Sequence, residues 1–273
     1  SIRGLGAPLR MMLCAAGIPF WVALYDTKEE GETGWSKQSW IDDKDWSKKD
    51  ENPFMNLPYL IDCKEQVFLC QTNAIKSYLG RELDMLGSSK IETAQCEELL
   101  CEIYDLRNIM VRFAYGTPEN TPDNATSKCF KPAKSHLDKL EAYLSKKEKS
   151  STTTPRGYLV GSKLSAPDFH LYEMLDQFEL LAKFHDMKDY MFETNFPKLA
   201  EYKTAFEGHD ANSFYLNSQM HKELPLNNVF ACFGSSLDKH GKYTRGEARP
   251  YIQRGEVLLP IVNKKRTAEQ ISK

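Results

Sequence analysis

Apolar side chains recur at helical spacing at both ends of the first roughly eighty residues, with shorter apolar runs between them. The spacing predicts one helix over 7–16, ended by a Gly-Ile-Pro sequence, and another over 72–83. Aromatic and branched residues predict a strand over 20–25, and short strands over 57–62 and 66–69 that join as a hairpin. We therefore expect an α/β unit that starts with a helix and holds a small mixed sheet.

The polar segment over 27–50 separates the predicted strands. It carries much charge and few apolar residues apart from its tryptophans. No period of two or of 3.6 stands out in it, so we expect a long loop with a short helix.

After residue 88 the pattern becomes helical throughout. Helical spacing predicts a long helix over 91–115, an amphipathic helix over 128–147 and a further helix over 196–206. Residues 117–126 are rich in Pro, Asn and Thr, which predicts a loop.

One helix start in this region is marked by its residues. Ser165 has the position of an N-cap, Pro167 lies in the first turn and Asp168 has the spacing of a capping acid. The sequence therefore predicts a helix from Ser165 onward, within an all-helical second region.

The last segment, 235–273, has a different composition. It holds nine Lys or Arg against four Asp or Glu, and it is polar apart from the apolar run at 257–262. We expect a basic extension that wraps the body of the protein or contacts a protein partner.

Charge and cysteine content narrow the function classes. The 273 residues carry 36 Lys or Arg and 38 Asp or Glu, a balance that argues against a nucleic-acid-binding protein. The seven cysteines are odd in number and lack Cys-x-x-Cys spacing, which predicts free thiols in a reducing, cytoplasmic compartment and disfavours a thioredoxin-like reductase.

The histidines show no metal-ligand spacing, so we expect no metal. The uncharged stretch 11–25 is too short to span a membrane.

Candidate binding chemistry lies in two short runs. Leu57-Pro58 enters a predicted strand and is a suitable place for a cis peptide bond. Gln71-Thr72 lies where a helix begins, and free backbone N–H groups with the positive end of the helix dipole favour a carboxylate there. An ordinary N-cap and turn explain the same residues equally well.

Longer motifs carry a family resemblance. Ile2-Arg3-Gly4-Leu5 followed by Pro8-Leu9-Arg10 is similar to the start of the first helix in cytosolic glutathione transferases. Asn56-Leu57-Pro58-Tyr59-Leu60-Ile61-Asp62 is the motif of their mu class residue for residue, and Gln71-Thr72-Asn73-Ala74-Ile75 differs only by Thr for the usual Ser. The run Ser165–Asp168 resembles the family's capping motif.

The resemblance extends to the end of the second region. Leu224-Pro225 followed by Val229-Phe230 is similar to the mu C-terminal segment, with one extra residue. The match thus covers roughly 1–234 and leaves the basic extension outside it.

The resemblance implies a fold and an activity. The fold is an α/β thioredoxin-like domain over 1–84 followed by an all-α domain over 88–234, with 235–273 as the extension. The activity is conjugation of the glutathione thiolate to small hydrophobic electrophiles, with glutathione as co-substrate, no cofactor and a homodimer. The alternative is a non-catalytic protein of the same fold that serves as a structural or assembly subunit.

The resemblance also implies a glutathione site. Thiol activation is expected from a tyrosine two positions before Ser1, and Ser1 itself is the less favoured substitute. Asp105 would reach from one subunit to the γ-glutamyl amine bound in the other. Trp46 is an alternative to Trp40 for the tryptophan contact with glutathione, because the gap from Lys44 to the motif at Asn56 is longer than in the family. The remaining expected glutathione contacts are Trp40, Lys44, Asn56, Leu57, Pro58, Gln71 and Thr72.

Two further sets follow from the resemblance. Tyr115 matches the mu tyrosine that donates a hydrogen bond to some electrophiles, and Phe54 matches the aromatic key of the dimer interface. The expected electrophile pocket is lined by Leu5, Tyr104, Asn108, Arg112, Phe230 and Ala231, a set more polar than is usual in the class.

Overall fold

The computed structural model describes residues 2–23, 25, 28–30, 34–38, 40–42, 44–45, 52–150, 157–235 and 257–258. In chain order its elements are α1 Gly6–Ala15, β1 Val22–Ala23, β2 Lys28–Glu30, β3 Gly34–Ser36, β4 Leu60–Asp62, β5 Val67–Leu69, α2 Thr72–Glu82, α3 Lys90–Gly116, α4 Pro122–Ala125, a π-helical turn Thr126–Phe130, α5 Lys131–Ser150, α6 Ala166–Phe184, a 3-10 turn Lys188–Tyr190, α7 Phe192–Asn195, α8 Pro197–Glu207, α9 Asp210–Leu216, α10 Gln219–Lys222 and β6 Val257–Leu258.

The strands of the described residues pair only in antiparallel fashion, in three separate pairs. β4 pairs with β5 as the predicted hairpin, with Ile61 opposite Phe68. β2 pairs with β3 inside the segment that we expected to be a loop. The predicted mixed sheet is therefore wrong, because two of the pairs are local hairpins that close on themselves without a parallel crossover.

The third strand pair involves the basic extension. Val22 lies opposite Leu258 and Ala23 opposite Val257, so two residues of the extension lie on the body of the protein. They belong to the apolar run of an otherwise polar segment. Residues 236–256 and 259–273 lie outside the described residues.

The helix α6 occupies the centre of the fold. Sixteen of its nineteen residues are buried, and α1, α3 and α8 pack against it. Its start has the predicted capping box, in which Asp168 Oδ2 accepts hydrogen bonds from the Ser165 backbone N–H at 2.7 Å and from Ser165 Oγ at 2.5 Å. The other carboxylate oxygen, Oδ1, accepts from the Leu159 N–H at 2.7 Å and from the Tyr202 hydroxyl at 2.9 Å. One buried side chain thus fixes the helix start, the preceding turn and α8.

The buried charges of α6 find partners in the N-terminal part of the chain. Arg3 is fully buried, and its Nη2 lies 2.6 Å from Glu173 and 2.8 Å from Asp176. Lys76 of α2 is also fully buried, and its Nζ lies 2.6 Å from Nδ1 of His170. Buried charged or polar groups are strongly destabilising without a partner, so the Arg3 ion pairs and the Lys76–His170 hydrogen bond hold the two predicted regions together.

The end of the long helix α3 differs from the expected loop. Pro122 follows the N-cap Thr121, whose hydroxyl accepts from the Asn124 N–H at 3.2 Å, and starts the short helix α4. A π-helical turn continues into α5 and buries Cys129 and Phe130. The loop-like composition of 117–126 hid this helix because its Pro, Asn and Thr are also good residues for a helix start.

Two findings bear on compartment and membrane. All seven cysteines are free, as the sequence predicted. Within the described ranges no helix combines the length and the hydropathy needed to cross a bilayer.

The buried Lys76–His170 contact yields a test of stability against pH. Burial lowers the pKa of both groups, so between the folded and unfolded pKa values the unfolded chain binds protons that the folded chain does not. The wild-type free energy of unfolding should therefore rise with pH up to the ordinary lysine value of about 10.4. Replacing both residues by leucine should keep the protein at least as stable at pH 7, because it removes two buried groups whose protonation opposes folding, and should flatten this rise.

Urea unfolding at pH 7 and pH 9 measures both effects. The matched control replaces His136 and Lys139 by leucine, since these two flank Glu102 near the surface, and should keep the wild-type dependence on pH. A wild-type slope retained in the buried double variant would contradict this account.

Candidate functional site

The loop with the cis proline is tied to the start of α2. The Leu57–Pro58 peptide bond is cis, as predicted. Nδ2 of Asn52 donates to the carbonyl of Phe68 at 3.1 Å, and Sγ of Cys70 lies 3.9 Å from Sδ of Met55. These contacts place the 52–58 loop beside the residues that immediately precede Gln71.

The start of α2 has the backbone geometry of an anion site. Gln71 takes the N-cap position with a φ of 70°, and its side chain makes no capping hydrogen bond. Thr72 is the first helical residue and is buried, whereas Gln71 is exposed. The ordinary N-cap explanation therefore does not account for the Gln71 side chain. The first backbone N–H groups of α2 therefore lack a cap from Gln71, and the positive end of the helix dipole favours a negative charge there.

Aromatic contacts connect Trp40 and Lys44 to the loop that holds the cis proline. Nζ of Lys44 lies 5.9 Å from the ring centroid of Trp40, and that ring packs edge-on against Tyr25 at 5.1 Å. The Tyr25 hydroxyl is 3.1 Å from the Tyr59 hydroxyl, next to Pro58. The structure thus links the three groups of expected glutathione contacts: Trp40 with Lys44, the loop with the cis proline, and the start of α2. Trp46 and Ser1 lie outside the described residues.

Asn56 forms a local turn within this group. Its Oδ1 accepts from the backbone N–H of Leu57 at 3.0 Å, and both residues are exposed. Both residues are therefore accessible to a ligand, and the Asn56 carboxamide nitrogen is not used by this turn.

A second group of expected residues meets at the C-terminal segment over 224–235. The N–H of Arg3 donates to the Pro225 carbonyl at 2.7 Å and that of Gly4 to Leu226 at 3.1 Å, which sets Leu5 beside this segment. The Tyr115 hydroxyl accepts from the Asn228 N–H at 3.0 Å. Phe230 and Ala231 lie two and three positions after Asn228, so Leu5, Tyr115 and these two residues all lie at or next to this segment.

Arg107 is a member of this region that the sequence did not single out. Its guanidinium lies 5.7 Å from the Tyr104 ring and donates to Asn108 Oδ1 at 3.2 Å. Burial lowers its pKa from the usual arginine range. Its spacing of three from Tyr104 on a predicted helix was the available signal. Arg107 makes this part of the protein more polar than the predicted list indicated.

Three further expected residues lie apart from these groups. Arg112 is exposed and lines a separate groove at the end of α3, together with residues that belong to none of the predicted sets. Asp105 is exposed on α3, and Phe54 is 70% exposed on the loop before the cis proline. In a single chain, Asp105 and Phe54 are thus available to a partner.

Two buried thiols and the metal-ligating side chains of the described residues do not meet the needs of a reactive centre. Burial raises the pKa of Cys14 and of Cys96 to about 12, which keeps both protonated at neutral pH. No group of three His, Cys, Asp or Glu side chains in the part of the chain that the structure describes is placed to hold a metal ion.

Comparison with known proteins decides the family. Residues 104–219 match the family model described as "Glutathione S-transferase, C-terminal domain". The chain is 32% identical over 235 residues to the class-mu 26 kDa isozyme 51 glutathione S-transferase of Fasciola hepatica, covering 86% of this chain and 93% of that protein. The chain belongs to the glutathione S-transferase family.

Other members of the glutathione S-transferase family agree with this assignment. Glutathione S-transferase Mu 5 of Rattus norvegicus is 29% identical over 239 residues, covering 86% of this chain and 93% of its own. The crystal structure of the glutathione S-transferase Blo t 8 superposes with a TM-score of 0.63 at 26% identity, covering 85% of this chain and 96% of that one. The predicted thioredoxin-like plus all-helical architecture is thereby confirmed.

The contact between Tyr115 and Asn228 can be tested on this transferase. Tyr115→Phe removes the acceptor of the Asn228 N–H, which should lower the stability of the C-terminal segment by roughly 0.5–1.5 kcal/mol. Amide hydrogen exchange at Asn228 should become faster by about tenfold while exchange in α6 stays unchanged. Tyr104→Phe is the matched control, since no hydroxyl hydrogen bond ties Tyr104 to a described residue. Equal exchange rates in the two variants would rule out the contact.

Proposed function

We propose that this protein conjugates the thiolate of glutathione to small hydrophobic electrophiles. The observation that carries the proposal is the start of α2, where Gln71 leaves the helix end uncapped beside the Leu57–Pro58 loop. A thioredoxin-like domain of the glutathione S-transferase family with such a helix start offers a binding place for a peptide carboxylate. All of the relatives named above are glutathione S-transferases.

Each part of glutathione finds a matching group in this proposal. The γ-glutamyl end binds at the start of α2, where the Gln71 amide and the Thr72 hydroxyl add donors to the backbone N–H groups. The Asn56 amide and the Leu57 backbone hold the cysteinyl part, next to Pro58. At the other end of the peptide, Lys44 and Trp40 supply a cation and an indole N–H.

Thiol activation is the chemical requirement that these contacts serve. A free thiol has a pKa of roughly 8.5 and is mostly protonated at neutral pH, whereas the thiolate is the nucleophile. A hydroxyl that donates a hydrogen bond to the sulfur lowers this pKa, because it stabilises the thiolate. In the proposed reaction the thiol gives its proton to solvent and the thiolate forms a carbon–sulfur bond with the electrophile. With an aryl halide the carbon–halogen bond breaks, and the halide leaves with the bonding electron pair.

The electrophile binds where the N-terminal segment, the end of α3 and the C-terminal segment meet. Leu5, Phe230 and Ala231 supply apolar contact. Partial burial raises the pKa of Tyr115, so its hydroxyl stays protonated and can donate to a polar atom of the substrate. The cation of Arg107 beside Tyr104 favours electrophiles that carry an electron-withdrawing polar group.

The proposal includes a cytoplasmic homodimer. Seven free thiols suit a reducing compartment. Phe54 is a large apolar side chain that is 70% exposed in the single chain, which is the usual property of an interface anchor. Asp105 of each subunit would then approach the γ-glutamyl amine bound in the other.

Glutathione binding tests the proposed site directly. Calorimetric titration should show saturable binding, and a hundredfold excess over Kd should raise the free energy of unfolding by about 2.7 kcal/mol. Gln71→Ala should weaken binding about tenfold, because it removes a hydrogen bond to a charged group. Gln219→Ala, an exposed glutamine on α10, is the control and should bind as wild type does.

Turnover of an aryl halide with glutathione tests the transfer step itself. Binding without turnover would favour the non-catalytic alternative. An unchanged affinity in Gln71→Ala would show that the peptide binds elsewhere.

Subunit association is tested separately. Sedimentation velocity at micromolar concentration should show a dimer, and Phe54→Ser should shift it toward the monomer by removing the anchor. Phe214→Ser, at a position that is 41% exposed on α9, should leave the dimer intact. A monomeric wild type would contradict the proposed assembly.

A further inference from the structure

The first turn of α2 is tied to both α3 and α6. Nδ2 of Asn73 donates to the carbonyl of Leu100 in α3 at 3.3 Å. Nζ of Lys76, one turn further along α2, donates to Oδ1 of Asn73 at 3.4 Å and lies 2.6 Å from Nδ1 of His170 in α6. Lys76 therefore connects the turn that follows Gln71 to the central helix of the fold.

The Lys76–His170 pair is buried without an acidic partner. Lys76 is 0% exposed and His170 is 1% exposed. Among the described groups, the other charge that acts on both side chains is that of Arg107 in α3, a further cation. Nε2 of His170 is buried and has no hydrogen-bond partner within the described part of the chain. A second proton on this pair would therefore have no counter-ion beside it.

The helices packed around the pair supply no carboxylate that is free to take this place. α1, α3 and α6 pack against α2, and α8 packs against α6. The charged side chains that these helices bury have other partners in the described residues: Arg10 with Tyr215, Asp168 with Ser165 and Tyr202, Glu173 and Asp176 with Arg3, and Glu179 with Lys203. Burial raises the pKa of the thiols of Cys14 and Cys96 and of the hydroxyls of Tyr172 and Tyr202, which keeps these groups neutral.

We propose that Lys76 and His170 are positioning residues for the glutathione site and make glutathione binding sensitive to acid. While at least one of the two groups is unprotonated, its nitrogen can accept from the other, and the start of α2 stays on α6. When both are protonated, two donors and two positive charges face each other, and the start of α2 moves away from α6. This role rests on the proposed function, because Gln71 and Thr72 at that helix start are the groups proposed to bind the γ-glutamyl end.

Burial determines the sign of the effect. It lowers the pKa of both Lys76 and His170 in the docked helix, whereas in water histidine titrates near about 6.5 and lysine near about 10.4. Release of α2 below about pH 6.5 therefore takes up at least one proton, and the docked state loses stability as the pH falls through this value. Acid should weaken glutathione binding, and a return to neutral pH should restore it.

Direct contacts with the ligand offer no competing source of such an effect. Histidine is the side chain whose ordinary pKa lies between pH 5 and pH 8, and no histidine is among the expected glutathione contacts. S-methylglutathione is a suitable probe because it carries no thiol. Its carboxyl and amino groups titrate near about 3.5 and about 8, outside the range from pH 5 to pH 7.

Calorimetric titration of the full chain with S-methylglutathione at pH 7 and pH 5 tests this role. The wild-type Kd should rise by about tenfold or more at pH 5, since each proton taken up on release contributes up to a factor of ten per pH unit. Lys76→Leu combined with His170→Leu should bind as wild type does at pH 7 and change by less than about twofold at pH 5. The control, His136→Leu combined with Lys139→Leu near the surface, should keep the wild-type change.

A conservative variant separates positioning from simple packing. His170→Gln keeps an acceptor for the Lys76 amine but cannot take up the second proton. It should therefore bind at pH 7 within about twofold of wild type and lose most of the dependence on pH. The same variant serves as the test if the double leucine variant does not fold.

Amide hydrogen exchange without ligand gives a second, independent measurement. After correction for the intrinsic effect of pH, protection in α2 of the wild type should fall by about tenfold or more between pH 7 and pH 5, while α5 stays protected. In His170→Gln the protection of α2 should change by less than about threefold.

The outcomes distinguish this role from the proposed function. Absence of S-methylglutathione binding at pH 7 would contradict the proposed function itself. Tight binding at pH 7 that is equally tight at pH 5 would contradict only the role of Lys76 and His170. A loss of affinity at pH 5 that is the same in wild type and His170→Gln would also contradict that role, as would unchanged protection of α2.

Discussion

The structure depends on satisfying the polar groups of one buried helix. α6 is enclosed on nearly all sides, yet it carries carboxylates and an imidazole along its length. Such groups are strongly destabilising in the interior unless each is paired. Asp168 is paired by the capping box, Glu173 by Arg3 and His170 by Lys76. The first contact fixes the start of α6, and the other two hold the segment around Arg3 and the helix α2 against α6.

The same pairing explains where the proposed site forms. Arg3 enters the core with its side chain toward α6, while its backbone N–H bonds to Pro225 in the C-terminal segment. This geometry sets Leu5 against the segment that also contacts Tyr115. In the second contact, Lys76 of α2 binds His170 of α6 and holds α2 against α6. Gln71 lies at the start of α2. The proposed glutathione and electrophile sites are therefore both built on the contacts that join the two domains.

Local patterns predicted the elements that local energetics decide. The long helix at 91–115 is observed as Lys90–Gly116, and the Ser165 capping box and the cis bond before Pro58 are present. Failures occurred where composition is ambiguous over a few residues. The hairpin inside 27–50 has strands of only three residues without apolar alternation, and the helix at Pro122 is short and polar. In both places the local signal is short or ambiguous, because three-residue strands carry little pattern and Pro, Asn and Thr suit a loop as well as a helix start.

The sequence by itself determined the family, the order of the long helices and the motifs that resemble the family's glutathione contacts, because caps, periodicity and motif residues act over a few neighbouring positions. The tertiary structure decided which distant groups meet. Lys76 and His170 are 94 residues apart and Arg3 and Glu173 are 170 apart, and no local pattern encodes those partners.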